Sequence, residues 1–170
     1  MPGAMGEPPT DQRWSRADLP WGGVVVAVAA IAAWYAWADD RVPVDNVGML
    51  HGAVELHMAL QHGGLGHALG WLAAPAGWLA LTMGAWLEVV GWSPQAATLG
   101  LQAGWVLAVA GIGLVARNLA GPRAALAAAS IAGMSPMLYG RSRIAWYHVP
   151  ETALLASALG LWLADRRLER

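Results

Sequence analysis

The chain has 170 residues, of which 57% are hydrophobic and 12% charged, with a formal net charge of -1. A soluble domain carries roughly a quarter charged residues, so this composition points to lipid as the solvent for much of the chain. The absence of cysteine excludes a disulfide framework and a thiolate metal site, and the lack of any basic excess gives no sign of nucleic-acid binding. All ten basic residues are Arg, and with abundant Ala, Gly and Trp this suggests a GC-rich bacterial genome.

Residues 1–19 are polar, rich in Pro and Gly, and read as a disordered tail on the cytoplasmic side, with Arg13 and Arg16 ahead of the first apolar run. The run itself, Trp21 to Ala38, makes residues 20–38 a predicted first span. Ala36-Trp37-Ala38 resembles a signal-peptidase site, but the run exceeds a usual signal core and a bulky Trp sits inside it, so a retained helix is the reading. Trp34, Tyr35 and Trp37 crowd one end, as in an aromatic belt. The run stops at two carboxylates, Asp39 and Asp40. Acids at a bilayer boundary are either a plain polar stop or the place where chemistry meets a lipid-borne substrate.

A helix is predicted from a cap at Asp45 or Asn46 to about Gln61, ended by Gly63-Gly64. Val47, Leu50, Val54 and Met58 form one apolar stripe on it, with His51, Glu55 and His62 on a narrow polar one, which suits a helix in the membrane interface. Among the histidines of this region, His51 and Glu55 stand four residues apart and form a weak candidate metal site. His62 is about 16 Å from His51 along a helix and cannot join them, and His57 points elsewhere. No cofactor is required by these residues; a divalent metal ion is the one option left open.

Four further apolar stretches follow, roughly 71–90, 99–116, 124–139 and 149–164. If all cross from a cytoplasmic N-terminus, Arg13, Arg16, Arg141 and Arg143 lie inside and the other six Arg outside, four against six. If 71–90 does not cross, only Arg41, Arg141 and Arg143 lie outside, seven against three, as basic residues prefer. The expectation is therefore an all-α, polytopic membrane helix bundle in a bacterial inner membrane. It has about four transmembrane helices and a large outer loop, 39–98, that carries interfacial helices; three further spans fill 99–165. Arg141 and Arg143 then join Asp39 and Asp40 on the outer face. Two Arg beside Tyr, Ser and His there suit a lipid phosphate, since guanidinium matches phosphate oxygens in bidentate fashion.

The ordered pieces Asp39-Asp40, Pro75 with Ala76, Gly91-Trp92-Ser93, Ala116-Arg117-Asn118-Leu119-Ala120-Gly121, Ser135-Pro136 and Tyr139 to Arg143 carry a resemblance. The chain resembles the N-terminal part of membrane glycosyltransferases of the C superfamily, in particular the bacterial dolichyl-phosphate-mannose-protein mannosyltransferase-like group. The resemblance implies transfer of a sugar from a polyprenyl-phosphate carrier to a lipid, glycan or protein on the outer face. It implies Asp39 or Asp40 as the base, with Arg141 or Arg143 holding the leaving phosphate. It covers only the first part of such a module, which implies a fragment or split half. The alternative is a small non-catalytic membrane scaffold or subunit, with Gly104, Gly111 and Gly113 packing against partner membrane helices.

Overall fold

A computed structural model describes residues 14–38, 47–62, 64, 66, 70, 77–136, 138 and 148–168. Among these the chain is helical throughout, in six helices that follow a short 3-10 turn at Arg16–Asp18. They are α1 (Leu19–Ala38), α2 (Val47–His62), α3 (Gly77–Val90), α4 (Pro94–Ala120), α5 (Pro122–Gly133) and α6 (His148–Leu168). The helix ends follow local chemistry. Ser93 accepts from the Ala96 N–H and Pro94 takes the first turn, where no N–H is needed, so α4 starts five residues before the predicted stretch. The segment between α1 and α4 accordingly ends at 93. Gly121, at φ 87°, ends α4 with its N–H on the Arg117 carbonyl and hands the chain directly to Pro122 at the start of α5.

Two predicted boundaries need correction. Residues 14–19 belong to folded structure rather than to a disordered tail: Ser15 and Asp18 form a reciprocal capping box ahead of α1. Within the apolar stretch 71–90, Gly77–Val90 form a helix of 14 residues. The stretch 124–139 contributes a helix that ends at Gly133, capped by Met134. Of all six, α1 and α4 are long and apolar enough to cross a membrane by length and composition.

Side-chain contacts define the order of the bundle. Asp18, just before α1, pairs with Arg117 in the last turn of α4. Val28 and Ala32 of α1 share one apolar cluster with Val109 and Trp105, so position numbers rise on α1 as they fall on α4. The two helices are antiparallel. Positions on α4 and α6 rise together: a Cβ at Gly104 would lie 3.4 Å from Pro150, one at Gly111 would lie 2.8 Å from the Ser157 nitrogen, and Asn118 donates to the Gly160 carbonyl at 2.8 Å. These helices are therefore parallel. On α5, Ala129 lies by Gly113 and Gly133 by Val28, so α5 follows α1. The result is an alternating four-helix bundle of α1, α4, α5 and α6. One end carries Asp18, Arg117 and Arg123; the other carries Ala38, Pro94 and Pro150.

The helix seams are lined with small residues, which lets backbones approach closely. Gly104 and Gly111 meet α6, and Gly113 meets Trp21 of α1 and Ala129 of α5. The glycines expected to serve partner helices are thus used within the chain. The outward faces remain apolar: Val26, Trp34 and Trp37 on α1, Ile131 on α5, and Leu155 and Leu161 on α6 are exposed.

The second unit is a hairpin of α2 and α3 seated on the first turns of α4. Ala53, Met83, Leu87, Ala96, Ala97 and Leu101 form its core, with Trp86 packed against them and donating to the Ala96 carbonyl at 2.8 Å. Ala53 and Ala59 of α2 are buried, while Val54 and Met58 of the predicted apolar stripe stay exposed. One face of α2 therefore holds the fold together and a different apolar face is left outward.

Candidate functional site

One end of the bundle is defined by Ala38, Ser93, Leu138 and Val149. Ala38 closes α1 there, Ser93 opens α4, Leu138 packs against the cluster of Val28, Ala32 and Trp105, and Val149 at the start of α6 belongs to that cluster. In sequence, Asp39 and Asp40 directly follow Ala38, and Arg141 and Arg143 fall between Leu138 and His148. All four candidate site residues lie outside the described residues. On α4, one and two turns beyond Trp105 toward this end, Gln102 and Thr98 are buried polar groups in an otherwise apolar interior.

The two other candidates are on α2. His51 Nε2 stands 3.6 Å from Glu55 Oε1, so they do meet across one helical turn. The pair supplies two donors, and among the described residues no group of three or more His, Cys, Asp or Glu converges to hold a metal ion. A tetrahedral or octahedral cation needs more protein ligands or several waters than this pair provides.

A second cluster, not singled out by the sequence, stands where α2, α3 and the turn into α4 converge. His57 Nδ1 is hydrogen-bonded to Glu88 Oε1, with the two side chains 32% and 33% exposed. The Trp92 indole N–H donates to the same carboxylate oxygen at 3.3 Å. The Trp92 ring lies 4.9 Å from the imidazole, tilted by 56°. On the other side of the ring, Gln61 Nε2 is 2.9 Å from His57 Nε2. With the Gln61 amide nitrogen facing the ring, Nδ1–H donates to Glu88 and the Nε2 lone pair accepts from that amide. The local helix placed His57 and Gln61 on one face, four residues apart, but only the hairpin brings Glu88 to them. A carboxylate inside an apolar run was the available signal, since such a group needs a partner on a neighbouring element.

The opposite end holds a clamp of different character. Arg117 donates from Nε to Asp18 Oδ1 at 2.6 Å and from Nη2 to Oδ2 at 3.0 Å, a bidentate pair. Trp21 Nε1 donates to the same carboxylate at 3.3 Å. The guanidinium stands over the Trp14 ring at 4.8 Å, and Trp14 stacks on Trp21 at 5.5 Å. Asp18 is 4% exposed and Arg117 12%. Both carboxylate oxygens of Asp18 are engaged by Arg117, which suits locking α1 to α4.

Between α5 and α6, on the floor of α4, runs a groove of about 480 Å³ lined by Ile112, Val115, Leu119, Ala128 and Leu155, with Thr152 among them. It offers no charged group for chemistry. No family model, no curated protein and no solved structure matches this chain.

Proposed function

We propose that the chain is a membrane glycosyltransferase, or the N-terminal portion of one, that transfers a sugar from a polyprenyl-phosphate carrier to a lipid, glycan or protein acceptor. It acts at the outer face of a bacterial inner membrane, with the N-terminus in the cytoplasm and α1, α4, α5 and α6 crossing the bilayer. The single observation that supports this most is the alternating order of the helices. Ala38, from which Asp39 and Asp40 continue, shares one end of the bundle with Leu138 and Val149, which bracket Arg141 and Arg143 in sequence. The apolar outward faces of α1, α5 and α6 support the bilayer setting.

The chemistry follows from those groups. Asp39 or Asp40 accepts the proton of the acceptor hydroxyl, which requires approach to about 3 Å. The oxygen attacks the anomeric carbon as the bond to the carrier phosphate breaks. Arg141 or Arg143 holds the charge that develops on the departing phosphate.

Asp39→Asn and Asp40→Asn, each tested in membranes that contain the complete system, are expected to abolish sugar transfer in at least one case. Unchanged transfer in both removes the assigned base. Because the chain has no cysteine, Gln95→Cys gives a single labelling site at the start of α4. An impermeant thiol reagent is expected to label it in intact cells. Labelling only after lysis would place the acids and arginines on opposite faces and end the proposal.

A further inference from the structure

We propose that His57, Glu88, Gln61 and Trp92 form a subsite that binds the hydroxyl-bearing ring of a carbohydrate. The inference deepens the transferase reading and rests on it for the choice of ligand, but it stands on residues of its own. Four side chains from α2, α3 and the turn before α4 converge at one surface point. A pair one-third exposed stabilises a fold little, so stability is a weak reason for so complete a set of bonds.

The arrangement has the parts that sugar recognition requires. Trp92 is 42% exposed, and its indole is oriented by the bond to Glu88. An aromatic ring held in this way offers a rigid apolar surface for the C–H face of a pyranose, with little conformational freedom left to lose. Beside it, Glu88 holds the imidazole so that the Nε2 lone pair points away from the carboxylate. The Gln61 amide now donates to that lone pair at 2.9 Å. It stands where a ligand hydroxyl would donate, and its own carbonyl oxygen would accept from a neighbouring hydroxyl. A site with an acceptor nitrogen, an amide and an aromatic face selects a neutral polyol over an anion. The turn that carries Trp92 leads into α4 at the Ala38 end, the same end as the residues assigned to transfer.

The test uses the full chain in nanodiscs of phospholipid without sugar headgroups. Diethyl pyrocarbonate modifies accessible imidazole nitrogens, and mass spectrometry reads the rate at each histidine. Methyl hexopyranosides serve as the free-sugar probe, and a short polyprenyl-phosphate hexose in the same nanodisc as the lipid-linked probe. Binding is expected to slow the reaction at His57 about fivefold when the probe is at four times its Kd, by mass action. His51, 60% exposed on the same helix, is expected to keep its rate. Trp92→Leu is expected to abolish the protection, and Glu88→Gln, which keeps the shape of the hairpin, to weaken it.

Protection by the free hexoside supports an acceptor-side sugar, and protection by the lipid-linked probe alone supports the donor sugar. Protection by neither, or equal slowing at His51 and His57, overturns the subsite. The two readings fail separately. Protection of His57 in a chain that transfers no sugar leaves the subsite standing and removes the transferase; transfer without protection does the reverse.

Discussion

Two carboxylates, Asp18 and Glu88, each meet a basic side chain from a distant part of the chain, and the two pairs live in opposite regimes. Asp18 and Arg117 are nearly enclosed and exchange two charge-assisted bonds. Glu88 and His57 stand a third exposed at the edge of the α2–α3 hairpin. Enclosure raises the cost of an unmatched charge, so the first pair locks the bundle. Solvent screens the second pair, so it adds little to stability. Close small-residue packing is common to both regions: a Cβ at Gly111 would meet the backbone of α6, and one at Gly84 would meet Leu56 and Ala53 of α2.

The largest effect is expected at the clamp. Asp18→Asn or Arg117→Met leaves one charged partner buried without its counterpart and is expected to cost about 3–5 kcal/mol, read as detergent-solubilised unfolding. The double replacement Asp18→Leu with Arg117→Met is expected to recover most of that loss, because no charge is then stranded. A double variant as unstable as the singles would mean that Trp14 and Trp21 need the ion pair for their own packing.

Leu87→Ala should empty part of the hairpin core, where Leu87 is 2% exposed, at a cost of about 2–5 kcal/mol. Hydrogen exchange would localise it: amides of α2 and α3 are expected to open while those of α1 keep their protection. Loss of protection in α1 would show that the hairpin and bundle unfold as one unit and would erase the comparison.

Gly111→Val is expected to push α6 from α4 and to cost about 1–3 kcal/mol by overpacking. Cross-linking between cysteines placed at positions 104 and 150 would report the separation.

The smallest change is expected at the exposed pair. His57→Gln or Glu88→Gln should shift stability by only about 0.2–1 kcal/mol, measured by the same unfolding assay. A loss as large as that of Asp18→Asn would make the pair a structural lock and weaken its assignment as a ligand site.

How much of this was legible follows from the range of each interaction. Helix limits depend on neighbours in sequence, so Ser93-Pro94 and Gly121-Pro122 mark them plainly once read as caps. Apolar patterning alone starts α4 at 99, because Ala96 and Ala97 carry too little apolar signal to announce what the Ser93 cap begins. A polar tail rich in Pro and Gly masks the capping box at Ser15. His51 and Glu55 are legible because one helical turn separates them. His57 is not, because its partner is 31 positions away.

By itself, the sequence determined that the chain is helical and apolar, where most helices stop, and that an acidic pair follows α1 while an arginine pair precedes α6. Composition, 3.6-residue periodicity and caps are local properties, and they need no knowledge of the fold. Tertiary structure alone decided that Asp18 closes on Arg117 across 99 positions, that Gly104 and Gly111 pack on α6 and Gly113 on α1 and α5, and that Glu88 reaches His57. Each of these depends on which helix faces which after the chain reverses direction, a choice made by the summed packing of whole helices and carried by no single segment.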